Sequence, residues 1–171
     1  MSIHKKIGSW LLLILVLLLS ACTLTTSTIM KDPKYASNAS DAVTLYFIRP
    51  VPTRTRGISD GNLKIELNDD LVAKLSLGEY VAMKVKPGRK RITVRSLTYL
   101  TSNPTPVKVH RFLEFDMEPC KTYLVLTKFD QEGFRGMYFK PVIISVADAK
   151  KLLKRLTPHG KLATQHPIES L

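Results

Sequence analysis

What most constrains this chain is a succession of short segments in which apolar and polar residues alternate with period two. NLKIELN (residues 62–68) is the cleanest, with Leu63, Ile65 and Leu67 on one side and Asn62, Lys64 and Glu66 on the other. Successive side chains of a strand point to opposite faces, so a segment of this kind lies in a sheet with one face in a core and one in water. EYVAMKV (Glu79–Val85) gathers Val81, Met83 and Val85 in the same way, and KRITVRSL sets Ile92 and Val94 against Arg91, Thr93 and Arg95. VTLYFIR, LVAKLSL, VKVHRFLEFDM, TYLVLTKF and GMYFKPVIISV are further short strand candidates.

The punctuation between these segments is turn chemistry. Asn68-Asp69-Asp70 offers residues that tolerate left-handed backbone angles, Gly78 opens the next strand, and Lys86-Pro87-Gly88-Arg89 carries the Pro-Gly signature of a type II turn. Ser102-Asn103-Pro104-Thr105-Pro106 reads as a loop. About seven or eight strands with no alternating helix predict an all-β fold, a mainly antiparallel β-sandwich or partly open barrel. One C-terminal helix is expected to close a side or end of the sheet. Ser145 caps it, Ala149, Leu152, Leu153 and Leu156 form its apolar stripe, and Lys150, Lys151, Lys154 and Arg155 cover its other side.

The N-terminus has a different build: Lys5 and Lys6, then the apolar run WLLLILVLLL, then the small residues Ser20 and Ala21. That order is a secretory signal peptide, and the run is roughly half the ~20 residues a membrane-spanning helix needs. Leu19-Ser20-Ala21-Cys22 resembles the lipobox of bacterial lipoproteins. The resemblance implies cleavage before Cys22 and lipid on its thiol and amine, and Thr23 rather than Asp after it implies the outer membrane, facing the periplasm. The expected organisation is then a leader over residues 1–21, a flexible tether over 22–42 rich in Ser, Thr, Asn and Asp, a β domain over 43–156, and a loosely ordered tail over 157–171.

Within the β domain, VTLYFIRP, LKIELNDDLVAKLSLGEYVAMKVKPGRKRITV and CKTYLVLTKF together resemble the bacterial lipoprotein family known as domain of unknown function 2846. The shared features fall on Arg49 and Pro50, Asp69 and Asp70, Gly78 and Tyr80, Pro87 and Gly88, and Lys121 to Tyr123. Two positions depart from the family pattern: Arg89-Lys90 stands where His is expected, and Cys120 where Gly often precedes Lys-Thr-Tyr. The segment through Val94 is also similar to a PEGA-type β repeat. These motifs imply a fold and a surface module rather than a reaction.

The residues themselves point away from catalysis. His4, His110, His159 and His166 are scattered, no His-x-x-x-His or Cys-x-x-Cys spacing exists, and no Gly-rich phosphate loop is present. Cys120 with His110 is the one arithmetically possible thiol pair, and nothing flanking either residue supports it. Neither an enzyme nor a cofactor is expected. If Cys22 carries lipid, Cys120 is a single thiol in an oxidising compartment, either buried or available for an intermolecular disulfide. Glu114, Asp116 and Glu118 share one strand face and are expected to answer the basic strands beside them.

Charge supplies the remaining candidate. The chain carries 26 basic and 14 acidic residues, a net charge of +12. An exported, lipid-tethered domain rarely meets nucleic acid, so the compatible partners are anionic lipid headgroups, lipopolysaccharide phosphates or an acidic protein. Lys84, Lys86, Arg89, Arg91 and Arg95, with Lys90, Lys108 and Arg111 nearby, form a candidate anion-binding patch, converging if their strands pair as a hairpin about Pro87-Gly88. The competing reading is a solvated face whose lysines discourage edge-to-edge pairing. The expected function is a non-enzymatic, lipid-anchored envelope module that binds a protein or an anionic component. The alternative is a carrier holding a small apolar ligand between its sheets.

Overall fold

All eight strand candidates become strands, and two short strands join them. The computed structural model describes residues 26–31, 33–52, 61–98, 105–131 and 137–171. The expected leader, residues 1–21, and Cys22 lie outside these residues. The strands are β1 (Thr28–Ile29), β2 (Val43–Arg49), β3 (Asn62–Leu67), β4 (Asp70–Ser76), β5 (Glu79–Val85), β6 (Gly88–Thr98), β7 (Val107–Met117), β8 (Thr122–Gln131), β9 (Met137–Ile144) and β10 (Thr157–His159). They form two five-stranded sheets: sheet A in the order β1-β4-β3-β6-β7 and sheet B in the order β10-β5-β2-β8-β9. The architecture is the expected all-β sandwich.

Sheet A is antiparallel throughout, but in sheet B β2 runs parallel to β8 and β5 parallel to β10. Parallel neighbours need a long crossover, usually a helix. Here the crossover from β2 to β8 is most of sheet A itself, so a sequence without alternating helices still yields parallel pairs. For the same reason β5 and β6 do not form a hairpin. The Pro87-Gly88 corner, with Gly88 at φ +96°, carries the chain from sheet B to sheet A. The tight turn between β3 and β4 is as expected, with Asn68 and Asp69 both at positive φ.

Between the sheets lies the larger core, in which Leu45, Phe47, Leu63, Ile65, Leu67 and Val81 are fully buried. Each such side chain contributes roughly 1.5–3 kcal/mol by leaving water. A second core covers the far side of sheet B: Tyr46, Ile48, Tyr80, Ala82 and Leu124 pack under Ala149, Leu156, Ala163 and Ile168. β2 is therefore buried on both faces, which explains why VTLYFIR reads as a nearly continuous apolar run. Arg49 ends this strand fully buried, its Nη1 donating to the carbonyls of Gly61 (3.1 Å) and Leu75 (2.9 Å), its guanidinium 5.2 Å from the Phe139 ring centre.

The expected helix forms as α1 (Val146–Leu152), where the Ser145 hydroxyl accepts from the Asp148 amide, and continues as a 3-10 turn over Leu153–Arg155. Lys151 and Ser145 both hydrogen-bond the Asp148 carboxylate and hold it below its ordinary pKa. Two expected boundaries are corrected. Residues 157–171 are no loose tail: β10 joins sheet B, α2 (Lys161–Gln165) follows, and the fully buried Ala163 and Ile168 anchor the segment on the second core. Tyr46 donates to the His166 carbonyl at 2.7 Å, and the Ile168 amide donates to the Tyr80 hydroxyl at 3.4 Å. The tether over 22–42 is corrected likewise in its described part. β1 pairs with β4, Ser27 is buried with its hydroxyl accepting from the Ser76 amide, and Ala36 bridges Val85. In both cases a few apolar residues (Ile29, Tyr35, Ala163, Ile168) dock a segment whose polar composition hides them. Among the described residues no helix is long and apolar enough to cross a membrane.

Candidate functional site: the outer face of sheet A

Because β3, β4, β6 and β7 bury one side in the larger core, their alternate residues make a polar outer face. Cross-strand register aligns those residues in rows. Lys74 on β4 stands opposite Lys64 on β3, Lys64 opposite Arg95 on β6, and Arg95 opposite His110 on β7. Three cations and an imidazole thus lie side by side across four strands. Like charges directly opposite one another destabilise a sheet, so folding alone does not favour this row.

One carboxylate answers it. Glu66 accepts a hydrogen bond from Arg95 Nε and holds that guanidinium above its ordinary pKa. Glu66 is 8 % exposed and sits at a β-bulge, where the register between β3 and β4 shifts between Ile65 and Glu66. Bulges re-aim side chains in this way. Its second oxygen, Oε2, and the hydroxyl of Ser96 are buried without a hydrogen-bond partner among the described residues. Both residues line a cleft of about 440 Å³ together with Lys64, Arg95, Lys108 and His110. Within the described residues no ion pair engages Lys64, Lys74 or Lys108.

The five residues singled out by sequence do not converge. Arg89, Arg91 and Arg95 share the outer face of β6, as their spacing requires, but Lys84 and Lys86 belong to sheet B and the corner after it. This corrects the expected patch, and the cause is the corner at Pro87-Gly88, which separates two strands that a hairpin would have paired. Lys84 instead edges a separate cleft with Lys161 and His166. Arg91 is paired with Asp69 and lies 5.9 Å from the Phe112 ring centre, and Arg89 is 3.5 Å from Glu114. Two further basic residues turn inward. Lys90 is buried and donates to the Pro87 carbonyl at 2.9 Å, and Arg111 stacks on the Tyr138 ring at 4.2 Å. Lys64 and Glu66 were visible in the sequence as the polar side of NLKIELN. Nothing in their spacing marked them as neighbours of Arg95, because that depends on pairing two distant strands.

Cys120 is exposed and occupies the corner between β7 and β8 at φ +59°, which accounts for Gly being the expected residue there. Its thiol donates to the Ser40 carbonyl at 3.5 Å. His110 lies seven strand residues before Met117, roughly 20 Å along β7, so the two do not form a nucleophile and base. Among the described residues no group of three or more His, Cys, Asp or Glu side chains is placed to hold a metal ion. Comparison with protein-family models, with curated proteins and with solved structures finds no match to this chain.

Proposed function

We propose that this protein is a lipid-anchored, non-enzymatic module of the bacterial cell envelope that binds an anionic envelope component on the outer face of sheet A. The row Lys74, Lys64, Arg95 and His110 carries the reading, since a row of like charge that costs stability is kept for what it binds. In the cleft, Lys64 and Lys108 meet the anionic group, with Arg95 and His110 beside them. A phosphate or carboxylate of an envelope headgroup satisfies these cations. The apolar side chains between the sheets already bury one another, which favours this surface over the carrier reading.

The lipobox resemblance places the anchor at Cys22, and the resemblance to the domain of unknown function 2846 lipoproteins agrees with a surface module. Binding of residues 23–171, which lack the expected leader and anchor, to vesicles containing phosphatidylglycerol, compared with phosphatidylcholine alone, tests the surface apart from the lipid. Lys64→Glu with Lys74→Glu should weaken binding at least about tenfold at low salt, with the difference shrinking as salt rises. Equal binding by parent and variant rejects it. Incorporation of labelled palmitate by the parent and not by Cys22→Ser tests the anchor separately.

A further inference from the structure

The two sheets present four edge strands, and three are blunted. β1 has two residues, β10 has three, and β9 is interrupted by Pro141, which has no N–H to donate. β7 is different: eleven residues without Pro, paired on one side with β6 and, among the described residues, with no strand on the other. A long open edge invites another strand, and charges along it normally guard against that.

The charges on β7 are arranged in a way that guarding does not require. Its exposed outer residues read Lys108, His110, Phe112, Glu114 and Asp116, basic at one end, acidic at the other, and aromatic in the middle. Laid antiparallel on a second copy about a two-fold axis at Phe112, Lys108 falls opposite Asp116 of the second copy, His110 opposite Glu114, and Phe112 opposite Phe112. Parallel pairing would set Lys108 against Lys108 and Asp116 against Asp116. Lys108, His110 and Asp116 have no ion pair among the described residues, and the Glu114 contact with Arg89 is a loose one between exposed groups. Phe112, 60 % exposed, has the largest apolar exposure among the described large hydrophobic side chains.

We propose that two copies of this chain associate through β7 in that antiparallel register, joining their sheets A into one ten-stranded sheet. The contact is isologous, as a two-fold interface must be, and main-chain hydrogen bonds supply attraction while the charge order supplies register. It goes beyond anion binding; Lys108 and His110 serve both readings, and sedimentation without anionic lipid reads the dimer alone.

Sedimentation velocity of the full chain, in enough detergent that micelles outnumber chains, tests this with two charge reversals. The parent is expected to dimerise. Lys108→Glu and Asp116→Lys should each dimerise at least about tenfold more weakly, because each sets two like-charged pairs across the axis. An equimolar mixture of the two variants should recover the dimer, since every pair across a mixed interface is again opposite in sign. In a Cys120→Gly background, Phe112→Cys should form a disulfide-linked dimer under mild oxidation, and Leu97→Cys, exposed on β6, should not. A parent that stays monomeric, single reversals that dimerise as the parent does, a mixture that fails to recover, or equal crosslinking at both positions would overturn the proposal.

Discussion

The two sheets face water very differently. The outer side of sheet B is apolar, with Tyr46, Ile48, Tyr80, Ala82 and Leu124, and the chain covers it with its own last segment. The outer side of sheet A carries Lys64, Lys74, Arg91, Arg95 and a half-satisfied Glu66, and no described element covers it. One face is closed by burial and the other is kept open with charge. The contrast separates the residues that hold the fold from those free to meet a partner.

The strongest way to break the contrast is to uncover sheet B. Ending the chain after Leu156 removes β10, α2 and the buried Ile168, and should lower stability by several kcal/mol, on the order of 5, read as a large fall in the thermal midpoint. A midpoint near the parent's would mean the segment merely rests on the sheet. Ile168→Ala isolates one fully buried side chain and should cost about 3 kcal/mol in denaturant unfolding.

Tyr80→Phe is milder. The hydroxyl accepts from Ile168 and donates to Glu169, so its loss should cost about 1 kcal/mol. Burial raises the Tyr80 pKa above 10.0, as it does for Tyr46. The folded state therefore favours the neutral phenols. Their contribution is fully present below pH 10 and is lost as pH rises through the folded values. The parent should lose stability in that alkaline range, and the variant should lose less.

At the corner joining the sheets, Cys120→Gly relieves a left-handed backbone angle and should raise stability by about 0.5–1 kcal/mol. On the open face, Lys64→Ala should change stability by no more than about 0.5 kcal/mol while weakening vesicle binding. If it destabilised the fold strongly, the open face would prove as structural as the covered one.

Short apolar-rich runs between turn signals mark the eight long strands, by alternation where one face is wet, as in NLKIELN, and by a continuous apolar run where both faces are buried, as in VTLYFIR. The turns at Asn68-Asp69 and Gly88 were legible because the angle required selects the residue locally. What could not be read was pairing. The division of β5 and β6 between sheets scatters the expected patch, and the row of Lys64, Arg95 and His110 depends on the pairing of β3 with β6, whose facing residues Lys64 and Arg95 are separated by two intervening strands in the sequence. The docking of the N- and C-terminal segments is not legible in the sequence, because one or two buried side chains suffice to hold a short polar stretch on an existing surface. Ile168 between Pro167 and Glu169 gives no periodic signal at all.

The docking of β1 has a geometric consequence for a chain held by Cys22. Ser27 is already buried beside Ser76, so only five peptide steps separate Cys22 from the folded body. Fully stretched, they reach about 17 Å. An anchored copy would stay within a layer little deeper than its own half-width. Its encounters would be confined to what lies against the membrane surface and to neighbours diffusing in the same plane.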